Sequence, residues 1–137
     1  MTNNDAYWVL NGLQGIGPIS PNQMLERFGG DPVRVLHADR AELSEVRGLT
    51  HRGVDAIVSW QSNFDLSREK ERAAKLGLRF VDRESDRHPG ILKEIHDPPI
   101  GLYVLGDYRF SRPSAAIVGS RRTTLYGQGV AREFGRE

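Results

Sequence analysis

Near the C-terminal end of the sequence, a short segment from Gly119 to Thr124 combines residue types that bind anions. Glycine allows the backbone to turn close to a ligand, and the hydroxyl of Ser120 can donate a hydrogen bond. The planar guanidinium groups of Arg121 and Arg122 match phosphate oxygens in charge and in geometry. The segment therefore predicts an anion site, and phosphate is the anion that its donors fit best.

Two elements must hold this turn in place. The apolar run 115–118 predicts a buried strand that leads into Gly119, and its consecutive apolar positions are typical of the centre of a parallel sheet. The carboxyl end of such a strand is the edge where open α/β sheets bind ligands. Thr123 or Thr124 can cap the helix that follows, whose first N–H groups and positive dipole end would then face the same anion.

The predicted helix contains two glycines, Gly127 and Gly129, each unfavourable by about 1 kcal/mol relative to alanine. They predict a close approach by a ligand or by the sheet. Tyr126 lies between them and has two interpretations, stacking on a base or filling the core. No catalytic residue, metal ligand or cofactor is predicted, and the candidate phosphate-binding residues are Gly119, Ser120, Arg121, Arg122, Thr124, Tyr126 and Gly127.

Charge is distributed unevenly along the chain. Residues 111–137 contain five arginines against two glutamates, whereas residues 1–64 contain five arginines against seven carboxylates, and residues 65–110 hold nine of each sign. Electrostatics therefore favour the C-terminal end as the part that binds a polyanion.

Composition excludes several classes of protein. The chain has 137 residues, of which 38% are hydrophobic and 27% charged, as in soluble globular proteins. It has neither a membrane-length apolar run nor a signal-like start, so we expect a cytoplasmic protein without membrane contact. With no cysteine, thiol catalysis and disulfides are excluded. The fingerprints of dinucleotide-binding and P-loop proteins are missing, and the four histidines are expected at the surface or in loops.

Residues 1–64 read as short helices joined by glycine turns. A turn at 15–17 and another at 48–49 each separate two helical patterns, which gives a paired helix-hairpin-helix pattern in a five-helix unit. Thr50 is the predicted cap of the helix that buries Val54, Ile57 and Val58. Such turns can present N–H groups to a phosphate, but the acidic balance of the module favours packing or protein contact.

After residue 64 the pattern changes to alternating helices and strands. A charged helix begins with Ser67 as its predicted cap and carries an expected Glu71–Lys75 ion pair, and we interpret it as a solvated face. Short strands follow near residues 78–81 and 102–105. The fold class is therefore α+β or α/β, with a helical domain at 1–64 and a second domain at 65–137.

Three segments together resemble the DNA-processing protein A family, also called DprA or Smf. "IVGSRRTTLYGQGVA" resembles the family's strand, Gly-Ser/Thr-Arg turn and T-x-YG helix start. "HPGILKEIHDPPIGLYVLGD" resembles its YP-x-x-L, D-x-P-P and L-Y-x-x-G segment. The stretch 15–29 and "VRGL" resemble its helical module. The segments occur in the family's order and cover nearly the whole chain.

The resemblance implies a helix-hairpin-helix-like, SAM-like domain followed by the beginning of an extended Rossmann-like domain that binds single-stranded DNA. It implies protection of incoming DNA and assistance in loading RecA-type recombinase during natural transformation (competence) and recombination, without catalysis. Arg121 is the residue that it places on a backbone phosphate. For the full-length protein it leaves a homodimer open.

The sequence departs from the family pattern in two respects. His88 stands where the family usually has tyrosine, and the chain ends one helix after the turn, so we expect an N-terminal fragment with an incomplete Rossmann-like domain. Two alternatives stay open at this point. One is a Rossmann-like nucleotide phosphoribohydrolase, which uses a similar turn for a nucleotide phosphate, and the other is a helical protein-interaction module.

Overall fold

The computed structural model describes residues 1–17, 20–107 and 117–136. These ranges contain nine helices and two strands: α1 Asn3–Gly12, α2 Ser20–Arg27, α3 Pro32–His37, α4 Arg40–Ser44, α5 His51–Val58, α6 Trp60–Asn63, α7 Leu66–Lys75, β1 Leu78–Asp82, α8 Gly90–Lys93, β2 Gly101–Leu105 and α9 Leu125–Phe134. Among the described helices, none combines the length and the apolar character needed to cross a bilayer.

Two helix–turn–helix units, α1 with α2 and α4 with α5, form the first part of the chain. Gly15 and Gly48 have the positive φ angles of +94° and +78° that these turns require. Each turn packs against the other unit. The carbonyl oxygen of Gly15 lies 3.5 Å from the position of a Cβ on Gly53, and the hydroxyl of Ser20 donates to the carbonyl of Gly48 at 3.5 Å. The two units therefore hold each other's turns.

The core of these units is formed by apolar residues at helical spacing. Met24, Leu25 and Phe28 of the first unit are buried. In the second unit Thr50 caps α5 as predicted, accepting from the amide of Gly53 at 3.2 Å. Val54 and Ile57 are buried, but the prediction for Val58 was wrong because this last residue of α5 is 44% exposed.

Strands β1 and β2 form an antiparallel pair, with Phe80 opposite Tyr103. Both rings contact Trp8 of α1, at centroid distances of 4.5 Å to Phe80 and 5.4 Å to Tyr103. Gly101 leaves room for this cluster, because a Cβ there would lie 2.2 Å from Cζ of Phe80. The aromatic cluster therefore joins the strands to the helical units in one core.

Polar contacts reinforce the same junction. The Tyr7 hydroxyl donates to Oε1 of Glu84 at 2.9 Å, and burial together with this carboxylate raises the pKa of Tyr7. Lys70 of α7 donates to the carboxylate of Asp5 on α1. That hydrogen bond is the main reason why the pKa of Asp5 falls to about 2. These bonds connect residues on both sides of the boundary predicted at residue 64, which itself stays a prediction.

Helix α7 begins earlier than the sequence predicts. Its cap is Asp65, whose Oδ1 accepts from the amide of Arg68 at 3.0 Å, and Ser67 lies inside the helix. Leu66 packs against the core, which fixes the start of the helix before Ser67. Among the residues that the structure describes, Glu71 and Lys75 form no ion pair within 4 Å, so that prediction was also wrong.

His88 lies in a loop, as expected, but it is buried rather than at the surface. Its Nε2 atom lies 3.1 Å from the carbonyl oxygen of Pro99. The imidazole thereby connects the loop before α8 to the proline segment that leads into β2. The other histidines are exposed: His37, His51 and His96.

The strand predicted at 115–118 falls partly outside the described residues. Its last two residues are described, and they have no strand structure: Ile117 is 58% exposed and Val118 is 90% exposed. A central strand needs hydrogen-bonding neighbours on both edges, and the sheet described here contains β1 and β2 alone. The helices and the small sheet agree with an α+β class, while the SAM-like and Rossmann-like domains stay predictions.

Candidate nucleic-acid interface

The predicted phosphate turn, 119–122, has no regular structure and is exposed throughout. The hydroxyl of Ser120 donates to the backbone carbonyl of Arg122 at 2.8 Å, which folds the turn back on itself. Within the described part of the chain, no carboxylate lies within 4 Å of the guanidinium groups of Arg121 or Arg122. Both arginines are therefore available to an anion from solvent.

Helix α9 starts at the end of this turn and is capped by Thr124. The cap residue is extended, with φ −73° and ψ 160°, and its Oγ1 accepts from the amide of Gly127 at 3.1 Å. The cap prediction is thereby resolved in favour of Thr124 over Thr123. The remaining amides of the first turn have no partner inside the helix, and the dipole makes this end positive. The helix start thus presents donors next to the arginines.

An open groove of about 680 Å³ runs between the turn and α9. Four of the predicted site residues line it: Gly119, Ser120, Tyr126 and Gly127. Arg121, Arg122 and Thr124 lie outside its lining. The predicted residues therefore fall into two groups: four that line the groove, and the cap residue with two arginines that do not.

Sequence reasoning did not select Arg132, which lines the same groove. This residue follows Gln128, another lining residue, by one helical turn, and i,i+4 positions share a helix face. The i,i+4 spacing from Gln128 was the feature of the sequence that could have indicated Arg132. Arg132 adds a third cation to the residues around the groove.

Among the glycines of the segment, the described atoms account for one. A Cβ on Gly119 would meet no atom within 4 Å, and the same holds for Gly129. At Gly127, a Cβ would lie 2.5 Å from Oγ1 of Thr123. The close approach to Gly127 is therefore made by the residues before the cap, and neither a ligand nor a sheet is needed to explain it.

The exposure of Tyr126 favours one of its two interpretations. The side chain is 82% exposed in the first turn of α9, so within the described chain it does not fill a core. An exposed aromatic ring that lines an open groove can stack on a base. As for metals, the described residues contain no cluster of three or more histidines and carboxylates that could hold an ion.

Comparison with known proteins gives a family match for the C-terminal part of the chain. The family model described as DNA recombination-mediator protein A matches residues 79–137, the part that contains β1, β2, the turn and α9. No solved structure matches the chain significantly.

A curated relative extends the match to the helical units. The chain is 28% identical to Protein Smf of Synechocystis sp. in an alignment of 144 positions that covers 98% of this chain and 35% of the relative. Both matches support the DprA/Smf family assignment that the motifs predict. The chain spans about a third of the length of this relative.

Proposed function

We propose that this chain takes part in DNA recombination by binding the phosphate backbone of single-stranded DNA at the turn 119–122. The observation that carries the proposal is the geometry of the site: two arginines without a carboxylate partner in the described chain stand beside a capped helix start. The match of this segment to the recombination-mediator family points to DNA as the source of the phosphate.

Each part of the site has a role in this proposal. The guanidinium groups of Arg121 and Arg122 bind backbone phosphates, and Arg132, in the lining of the groove, binds a further phosphate. Ser120 and the first amides of α9 donate to the same oxygens. Tyr126 stacks on a base, which is tolerant of sequence because every base has a π face.

For the whole protein we propose the function that the family resemblance implies. It protects incoming single strands and assists the loading of a RecA-type recombinase, in the cytoplasm and without catalysis. Support comes from the family assignment, and the share of the relative covered here is 35%. What we propose for the chain itself is the DNA contact.

The test is the affinity of the 137-residue chain for a fluorescent oligo-dT, measured by anisotropy at several salt concentrations. Affinity should fall as salt rises, because phosphate neutralisation releases counterions. Arg121→Ala should weaken binding by about tenfold, the effect of losing one charge-assisted phosphate contact. Arg136→Ala is the matched control, since it removes the same charge from an exposed position after α9.

Two results would overturn the proposal. One is an Arg121→Ala variant that binds oligo-dT as tightly as the parent. The other is an equal loss of affinity in Arg121→Ala and Arg136→Ala, which would show that net charge acts without a site.

A further inference from the structure

The charged side chains of α7 fall into two groups, those with partners and those without. Glu69 accepts from the hydroxyl of Tyr103 at 3.2 Å, and Lys70 is bonded to Asp5. Burial, followed by the charge of Glu69, raises the pKa of Tyr103 to about 12, so this hydroxyl stays protonated and donates at neutral pH. Glu69 and Lys70, on the packed side of the helix, therefore both have hydrogen-bonding partners.

The second group forms a line on the opposite side. Arg68, Arg72 and Lys75 occupy positions i, i+4 and i+7, so they share one face over about 10 Å. All three are exposed, whereas Ala73 on the inner side is buried. Within the described chain, no carboxylate lies within 4 Å of their charged groups. We call these three residues the α7 stripe.

Two exposed carboxylates lie near the stripe without pairing with its cations in the described chain. Asp65 is committed to the helix cap, where it accepts from the amide of Arg68. Glu71 is exposed beside the stripe and makes no ion pair with the described residues. Asp65 and Glu71 therefore flank the stripe with their charges intact, and the positive charge is local to the line of three cations.

An apolar surface adjoins the stripe. It consists of Leu76 at the end of α7, 58% exposed, together with Tyr103 and Leu105 of β2, which are 39% and 71% exposed. The three are neighbours in space: Tyr103 bonds to Glu69 on α7, and Leu105 lies 3.9 Å from the Cβ position of Gly77, next to Leu76. We call these three residues the apolar shelf.

We propose that the α7 stripe and the apolar shelf form a second contact for single-stranded DNA, with phosphates on the stripe and bases against the shelf. Charge complementarity selects the backbone, and a cationic line beside an apolar and aromatic surface is the combination that single strands require. This inference rests on the proposed function, because both sites bind single-stranded DNA. Its residues are all different from those of the turn 119–122.

The test neutralises the stripe in the 137-residue chain with Arg68→Gln, Arg72→Gln and Lys75→Gln together. Each phosphate contact on a single strand contributes about 0.7 to the salt slope, so the slope of log affinity against log salt should decrease in magnitude by about 2. The matched control is Arg34→Gln, Arg47→Gln and Arg87→Gln, three exposed arginines elsewhere with the same total charge change. That control should keep the parental slope.

The same titration distinguishes this inference from the proposed function. If Arg121→Ala weakens binding and the stripe variant matches its control, the inference is overturned and the turn stands. If the stripe variant loses slope and Arg121→Ala does not weaken binding, the inference stands and the turn fails. If the stripe variant changes only the sedimentation of the DNA-free chain, the occupant is a second copy and the inference is overturned.

A separate variant tests the shelf. Leu105→Ser should weaken oligo-dT binding by about threefold to tenfold with an unchanged salt slope, because it removes apolar contact and no charge. Its effect should disappear on an abasic oligonucleotide of equal length. An equal effect on both oligonucleotides would show that no base contacts the shelf.

Discussion

The first 107 residues and the segment 117–136 use their side chains in opposite ways. In the first region, aromatic and aliphatic residues are buried, and hydrogen bonds such as Tyr7 to Glu84 connect distant parts of the sequence. In the second region no described residue is buried, and the side-chain hydrogen bonds connect close neighbours, such as Thr124 to Gly127. Stability therefore resides in the first region, while the arginines and N–H donors of the second stay available for a ligand.

The largest effect expected from this comparison is at Trp8. This residue is 7% exposed and contacts Phe80 and Tyr103, so Trp8→Ala should lower the free energy of unfolding by about 3 to 5 kcal/mol. Urea denaturation followed by circular dichroism measures it. Tyr126→Ala, in the exposed segment, should change stability by less than about 0.5 kcal/mol. Similar losses of unfolding free energy in both variants would contradict the conclusion that stability resides in the first region.

Two glycines give the next largest contrast. Gly101→Ala should destabilise the chain by about 1 to 3 kcal/mol, because the new Cβ would lie 2.2 Å from Cζ of Phe80. Gly129→Ala should instead stabilise α9 by about 1 kcal/mol, because nothing lies within 4 Å and alanine favours helix. Thermal unfolding measures the first and helix content the second. If both substitutions stabilised or both destabilised the chain, the surroundings described for one of the two glycines would be wrong.

The two threonine caps form a matched pair across the regions. Thr124→Ala should cost α9 about 1 kcal/mol, seen as faster amide exchange in α9 with unchanged global stability. Thr50→Ala removes the equivalent bond from α5, which is packed in the core, so a similar loss should appear in global unfolding. A global loss from Thr124→Ala would show that α9 is coupled to the core.

The smallest effect is the pH dependence of Asp5. Its folded pKa of about 2 lies below the ordinary value of 3.8, so its stabilisation is present above about pH 4 and is lost as pH falls toward 2. Asp5→Asn should lower stability by about 0.2 to 1 kcal/mol at pH 7 and by only a small part of that at pH 2, where half of Asp5 is already protonated. Lys70→Gln should remove the same pH-dependent part. A constant difference from pH 7 to pH 2 would contradict the Asp5–Lys70 interaction.

Sequence patterns predicted the features that depend on near neighbours. Thr50 as a cap and the burial of Met24, Leu25 and Phe28 follow from helical spacing and from one hydrogen bond each. The cap of α7 was misplaced because Asp65 and Ser67 both carry a suitable oxygen. The choice between them is made by the packing of Leu66, which depends on residues far away in sequence.

The candidate site was predictable in its chemistry and less so in its geometry. The turn 119–122 and the family follow from motif residues, and the family is supported by both comparisons. Arg132 was missed because a groove brings together residues of a turn and of a helix that the motif does not link. The partners of Glu69 and Lys70 were likewise hidden, since Tyr103 and Asp5 lie on other elements.

The contacts between the two helix–turn–helix units determine which fragments of the protein can be expressed. Gly15 rests against Gly53, and Gly48 accepts from Ser20, so each unit supplies the surface that the other's bend needs. An expression fragment containing one unit alone would carry a bend without its counterpart. The shortest piece worth purifying therefore contains both units, and because Trp8 also needs Phe80 and Tyr103, it extends through the second strand.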